Sequence, residues 1–285
     1  MKHPIDPKID CVFKALLGSN ENRNLLIHFL NAFLAQELSE PLIWVDIINP
    51  YNDKEFITDK LSIVDVKAKD SHDQIYQIEI QLTYYAHLPA RIIYNWADIY
   101  SQQLQNGQAY RHLRPTYSIW LIAENLLPDD NHYSHHYKMR DEQGRVFNAH
   151  GGIWLFELKK FHDQQIERED QRWIKFFNEG ERLNDNALPE WMNTQIMRQA
   201  MATLTRFSEK EDHYYKYQAR QEYLREQLTI QLELEETGEA LLHAQQREQE
   251  AKQREQEAKQ REQEAMQREQ EALAEIERLH ALLRQ

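Results

Sequence analysis

The sequence predicts a mixed α/β domain followed by a long helical C-terminal extension. Three observations predict it. Apolar residues recur at helical spacing over residues 9–36 and 86–105, residues 60–69 and 74–82 alternate with period two, and from residue 190 onward the chain reads as helix, ending in a seven-residue repeat.

The elements follow in order. Phe13, Leu16 and Leu17, then Leu25, Leu26, Phe29, Leu30 and Phe33, form a helical stripe interrupted at Gly18-Ser19-Asn20, with Asn20 expected to cap the second piece. Pro41 closes this region, and Leu42 to Ile48 reads as a strand. Lys60-Leu-Ser-Ile-Val-Asp-Val-Lys-Ala-Lys69 and Gln74-Ile-Tyr-Gln-Ile-Glu-Ile-Gln-Leu82 flank the polar link Asp70-Ser-His-Asp73, which is a hairpin signal. Helix returns with Leu88, Ile92, Trp96 and Ile99 on one stripe. Thr116 to Ala123 and Ile153 to Leu158 read as strands, and His132 to Met139 with Val146 to His150 as a further hairpin around Asp141-Glu-Gln-Gly144. Helices resume from Asp163, and Trp191, Ile196, Ala200 and Leu204 are spaced for one helix face.

Residues 246–273 are four copies of one heptad: Gln-Arg-Glu-Gln-Glu-Ala-Lys twice, then the same unit ending in Met266 and in Leu273. A coiled coil wants two large apolar residues per heptad, and here only Ala251, Ala258, Ala265 and Ala272 recur. A solvated, charge-laced helix is therefore expected, with a coiled coil as the alternative. Leu273, Ile276, Leu279 and Leu283 suggest self-association through the C-terminal helix. The expected division is the mixed α/β domain over 1–180, a helical region over 181–245 and the repeat tail over 246–285.

Composition narrows the function classes. With 285 residues, 41% hydrophobic, the chain can bury a sizeable core. No apolar run approaches the roughly 20 residues of a membrane span, and the N-terminus lacks a secretory pattern. Together with a single cysteine, Cys11, read as a small buried hydrophobe, this points to a cytoplasmic protein without membrane association. The net charge of −13 argues against broad, non-specific coating of DNA. The acidity is uneven, however. Residues 1–160 hold 16 Lys and Arg against 20 Asp and Glu, whereas residues 161–285 hold 18 against 27. No phosphate-binding glycine loop, dinucleotide fingerprint or serine elbow is present.

The hairpin carries the chemistry. If it turns around His72, Asp65 lies opposite Glu79, and Gln81 shares the face of Glu79. Val64, Val66, Ala68, Tyr76, Ile78, Ile80 and Leu82 make the apolar face; Asp65, Lys67, Gln77, Glu79 and Gln81 make the polar one. Like charges across a strand pair are unfavourable. A divalent cation, Mg²⁺ or Mn²⁺, would reverse that by taking oxygens from Asp65, Glu79 and the carbonyl of Ile80. The competing reading is a half-exposed hairpin whose acids are matched by Lys67 and Lys69. Asp10 serves either as an accessory acid or as a helix N-terminal residue favoured by the dipole. Lys14 and Arg91 are either phosphate contacts or surface charges, and Tyr94 and Tyr110 either core or base-stacking groups. His132, His135 and His136 without a cysteine are weak evidence for zinc.

Asp65 followed by Glu79-Ile-Gln81 resembles the PD-(D/E)XK nuclease signature in a Glu-x-Gln variant. The flanking blocks are similar to the Rpn-type recombination-promoting nucleases, a PD-(D/E)XK nuclease family of transposases. Those blocks are Asp10-Cys-Val-Phe-Lys14, Asn24-Leu-Leu-Ile-His-Phe-Leu-Asn-Ala32 and Arg91-Ile-Ile-Tyr94. They continue with Tyr100-Ser-Gln-Gln103, Gly107, Tyr110, Leu113 and Pro115, then Phe156-Glu-Leu-Lys-Lys-Phe161. The resemblance runs from residue 6 to 240. It implies a restriction-endonuclease-like core, a mixed central sheet flanked by helices. It also implies metal-dependent cutting of DNA in recombination or mobile-element biology. Asp65 and Glu79 would be metal ligands, and Gln81 would stand where the family usually has Lys. Val64 stands where the pattern has Pro. The alternative expectation is a catalytically degenerate nuclease fold that binds DNA or protein.

Overall fold

The apolar stripe of residues 9–36 forms two helices in the computed structural model, α1 (Asp10–Leu17) and α2 (Arg23–Phe33). The structure describes residues 3–48, 65–163, 165–185 and 187–283, with only the backbone for 274, 275 and 277–283. Between α1 and α2 it is Ser19, rather than Asn20, whose side chain accepts a backbone N–H, that of Glu21. Asn20 instead accepts from the Arg23 guanidinium at 2.9 Å. The link is a short 3₁₀ turn, so the cap falls one residue earlier than helical spacing implies.

Six strands form one sheet among the described residues: β1 (Val45–Ile48), β2 (Val66–Asp70), β3 (Ile75–Gln81), β4 (Thr116–Ile122), β5 (Ser134–Tyr137) and β6 (Gly151–Glu157). Their order is β1-β2-β3-β4-β6-β5. β3, β4 and β6 run parallel, while β1, β2 and β5 join antiparallel. The expected partner of β5 was the segment 146–150. That segment contributes only an isolated bridge, Arg140 with Val146, and β5 pairs with β6. The Asp141–Gly144 turn does form, with Gly144 at φ 79°. Periodicity finds strands, but it does not choose among partners that are equally apolar.

The β2–β3 turn sets the register of the central hairpin. Asp70 Oδ1 accepts the backbone N–H groups of His72 and Gln74, both at 2.9 Å, and Asp70 Oδ2 accepts the Tyr76 hydroxyl at 2.9 Å. Asp73 takes the left-handed conformation the reversal needs, φ 60°, which Asp tolerates better than most residues. Val66 thereby faces Ile78 and Ala68 faces Tyr76.

Helix α3 (Leu88–Ser101) covers one face of the sheet: Leu88, Ile92 and Leu126 close over Trp120, Ile122 and Leu155. The predicted α3 stripe is there, with Asn95 also buried on it. The opposite face meets the aromatic residues of α2 and α4 (Glu169–Glu179). Phe33 packs edge-on against Phe156, and Phe29 against Trp173. α1 packs against α2 and α5 (Gln195–Glu209). The sheet is thus sandwiched, and Gln77 and Glu79 on the expected polar face are buried too. Val64 and the rest of residues 60–64, expected to extend β2, lie outside the described residues.

After α3, the Gln103 amide clamps the chain. Nε2 donates to the Arg114 carbonyl and Thr116 Oγ1, and Oε1 accepts the Arg114 N–H at 2.8 Å. Trp96 Nε1 donates to the Thr116 carbonyl at 3.0 Å. These bonds deliver β4 into the slot beside β3.

The helical reading of 190–245 holds with two breaks: Asn193 and Thr194, which separate α5 from a 3₁₀ turn (Glu190–Met192) that holds Trp191, and Lys210, where φ −83° and ψ 114° are extended. Thr194 caps α5, and Met197, Ala200, Met201, Leu204 and Phe207 form its buried stripe. α6 (Glu211–Leu283) follows. The chain divides into two units, Met1–Gln221 and Glu222–Gln285. Within the second, the repeat carries i,i+4 pairs such as Glu248–Lys252 and Glu255–Lys259, both at 2.6 Å, with exposed side chains. This is the pattern of a solvated helix. Leu273 and Ile276 are exposed; the side chains of Leu279 and Leu283 lie outside the described residues.

Replacing Asp70 by Ala strands two backbone N–H groups and a buried tyrosine hydroxyl. Asp70→Ala is therefore expected to cost about 2 kcal/mol or more in a urea denaturation series. An unchanged midpoint would show that the turn does not hold the hairpin.

Candidate active site

Continuing the β2–β3 register by one step sets Asp65 opposite Glu79, as alternation along the sequence required. Asp65 lies just before β2, and its carboxylate turns to the end of the hairpin. Oδ2 accepts the N–H of Ile80 at 3.0 Å, and Oδ1 lies 3.3 Å from Lys14 Nζ. The Gln81 carbonyl accepts from Ala123 on the β4 side. Ile80, one residue earlier, therefore directs both its backbone groups to the side of Asp65.

Glu79 is only 3% exposed. Three buried side chains aim it. Trp120 Nε1 donates to Ser118 Oγ at 2.8 Å, Ser118 Oγ donates to Gln77 Oε1 at 2.9 Å, and Gln77 Nε2 donates to Glu79 Oε1 at 3.2 Å. Period-two alternation puts Gln77 on this face, and no local pattern in the sequence points to Ser118 or Trp120. These two join the site through the parallel β3–β4 register, which sets Ser118 beside Gln77 and Trp120 beside Glu79.

The two acids influence each other strongly. Burial raises the Glu79 carboxyl well above the ordinary carboxylate range. The charge of Asp65 raises it further, against the lowering effects of Gln77 and Arg91. Asp65 is also raised, by burial first, with the Ile80 N–H and Lys14 opposing and Asp10 adding to the rise. Both groups are thus pushed toward the neutral form, as expected of two acids that share a dry site.

The remaining predicted residues sort themselves around this pair. Gln81 donates from Nε2 to the Thr83 carbonyl at 2.8 Å, and its Oε1 accepts from Arg91 Nη1 at 3.1 Å. Lys69 pairs with Asp73, and the described cation on Asp65 is Lys14 of α1. The hairpin acid is thus matched by the first helix. Asp10 opens α1, accepts the Cys11 N–H, pairs with Arg220 at 3.0 Å and is felt by Asp65. Burial and Asp10 push the Cys11 thiol up to about 11, which leaves it protonated and unreactive near neutral pH.

Tyr94 and Tyr110 are exposed. His132 bonds Asp130, His135 bonds the buried Glu157, and His136 bonds Ser134. Among the described residues, no three His, Cys, Asp or Glu side chains gather as a metal cluster. No helix among them is long and apolar enough to cross a membrane. An apolar cavity of about 600 Å³ between α3 and the 138–153 segment, lined by Trp96, Tyr100 and Phe147, contains none of the site acids.

The family model described as PD-(D/E)XK nuclease family transposase matches residues 7–235. No curated protein and no solved structure matches the chain.

Ser118→Ala would leave the Trp120 indole N–H and the Gln77 carbonyl oxygen buried without partners. A loss of about 2 kcal/mol is expected in chemical denaturation. Wild-type stability in that variant would mean that the chain from Trp120 to Glu79 does not hold the acid.

Proposed function

The chain belongs to the PD-(D/E)XK nuclease family transposases, and on that premise we propose that it is a Mg²⁺-dependent DNA endonuclease acting in recombination or mobile-element biology. The observation that carries this reading is the meeting of Asp65 and Glu79 at one end of the central hairpin, both pushed toward neutrality by burial, and Glu79 also by the charge of Asp65.

The donor set fits a hard divalent cation. Two facing carboxyls in dry surroundings form a charge arrangement that such an ion relieves. Mg²⁺ commonly takes only one or two carboxylates and completes its shell with waters and substrate phosphate. Asp65 and Glu79 would hold it, with the Ile80 carbonyl as a third oxygen. When bound, the ion supplies Lewis acidity and a more acidic water. In the hydrolysis, a water oxygen bonds to phosphorus as the phosphorus–oxygen ester bond to one sugar breaks. One water proton reaches the leaving oxygen and the other reaches solvent. Gln77 and Ser118 keep Glu79 aimed, and Gln81 completes the triad as the polar group beside the acids.

One feature favours the second reading, a degenerate fold that binds DNA or protein: Gln81 stands where the family pattern has Lys. Plasmid cleavage with and without EDTA separates the two. Asp65→Ala should abolish metal-dependent nicking, and so should Asp65→Asn, which keeps an oxygen for the Ile80 N–H. Unchanged cutting by both variants would count decisively against the assignment. Isothermal titration that detects neither Mg²⁺ nor Mn²⁺ binding would favour the binding module.

We further propose that 1–180 is the catalytic domain, 181–245 a helical region and 246–285 a tail outside the chemistry. Deletion of 246–273 should preserve the cleavage rate. A tail-less protein that no longer cuts would show that the repeat takes part in assembling the enzyme.

A further inference from the structure

We infer that Arg91, reaching the site from α3, supplies the positive charge that Gln81 cannot, and that it contacts the phosphate being cut. The inference rests on the nuclease reading above and deepens it.

The electrostatic need is plain. Two acids and a phosphodiester are all negative, and charge on the phosphate oxygens must be stabilised as the ester bond breaks. Gln81 is neutral and its amide is already committed. Its Nε2 bonds the Thr83 carbonyl and hydroxyl, and its Oε1 receives Arg91 Nη1 at 3.1 Å. Gln81 therefore acts as the holder of Arg91.

Four described cations lie on or near the hairpin, and their surroundings distinguish them; Lys69 is paired with Asp73 at the turn, 2.8 Å away. Lys14 is committed to Asp65 at 3.3 Å. Lys67 stands opposite Gln77, diagonal to Glu79, and has a contact of its own. Arg91 is held by two neutral acceptors, Gln81 Oε1 and the Tyr85 hydroxyl at 2.9 Å. Among the described residues no carboxylate pairs with it, so its charge is not cancelled by an ion pair. That charge still reaches Glu79, whose carboxyl it lowers.

Two further facts suit a phosphate contact. Both described bonds of the guanidinium run through Nη1, and the side chain is exposed, so the rest of the planar fork can meet an oxyanion. Arg91 also sits in the first turn of α3, where the helix dipole disfavours a cation. A positive group placed there at a cost to the helix is accounted for by an anionic ligand.

The test compares the full-length protein with Arg91→Ala, Arg91→Lys and the double variant Arg91→Ala with Gln81→Lys, using supercoiled plasmid and Mg²⁺. Thermal melting and Mn²⁺ titration serve as checks on fold and on the acids. Arg91→Ala is expected to nick about 100-fold more slowly, with the loss in kcat and with melting and Mn²⁺ binding retained. Arg91→Lys, which keeps the charge and loses the fork, should cut at a rate between those of Arg91→Ala and the wild type. The double variant, which returns a cation to the strand, should regain about tenfold over Arg91→Ala, a rescue that a purely structural role would not produce.

Arg91→Ala cutting at the wild-type rate overturns the inference alone, as does a double variant no faster than the single one. A wild-type protein that fails to nick, or an Asp65→Ala protein that nicks normally, overturns the nuclease reading itself, and the role of Arg91 falls with it.

Discussion

The Asp70 carboxylate closes the turn between β2 and β3, and the rest of the site follows from that closure. Its two oxygens take up the His72 and Gln74 N–H groups and the Tyr76 hydroxyl, which pins the turn to one length. A strand register slips in whole residues, and a slip of one would send every side chain to the other face. With the turn held, Asp65 meets Glu79, the Ile80 N–H finds the Asp65 carboxylate, and Gln81 arrives beside Arg91.

Glu79 is an acid that water alone cannot stabilise, because both faces of the sheet are covered. α3 lies over Trp120 and Ile122, and the aromatic layer of α2 and α4 closes the other side. The fold compensates in part by giving Glu79 a neutral amide from Gln77, itself fixed through Ser118 and Trp120. Lys14 attends Asp65 from one side, and Arg91 attends Glu79 and Gln81 from the other. The overall charge of −13 says little about this locality. Much of the acidity belongs to residues 161–285, including the glutamates of the repeat, whereas the site draws its cations from α1 and α3.

Membership of the PD-(D/E)XK nuclease family transposases gives the sandwiched sheet a chemical context. The blocks that resemble the family outside the acids acquire physical explanations in the fold. Gln103 clamps the start of β4, Glu157 accepts the Leu126 and Leu127 N–H groups and so ties down the loop after β4, and Lys14 faces Asp65. These contacts hold the central strands and the hairpin end in place.

Period-two alternation and the polar link at 70–73 were enough, by themselves, to predict the hairpin and the face shared by Glu79 and Gln81. Helical spacing likewise revealed α1 to α3, and the heptads revealed the helix that carries the repeat. These features are local: they depend on side-chain direction a few residues apart. Tertiary structure decided the rest. Ser118 and Trp120 join Glu79 because β4 lies parallel to β3, a pairing between residues about 40 positions apart that no local period encodes. β5 chose β6 over its sequence neighbour for the same reason. The acceptors that Arg91 reaches, Gln81 Oε1 and the Tyr85 hydroxyl, likewise depended on where α3 crosses the sheet.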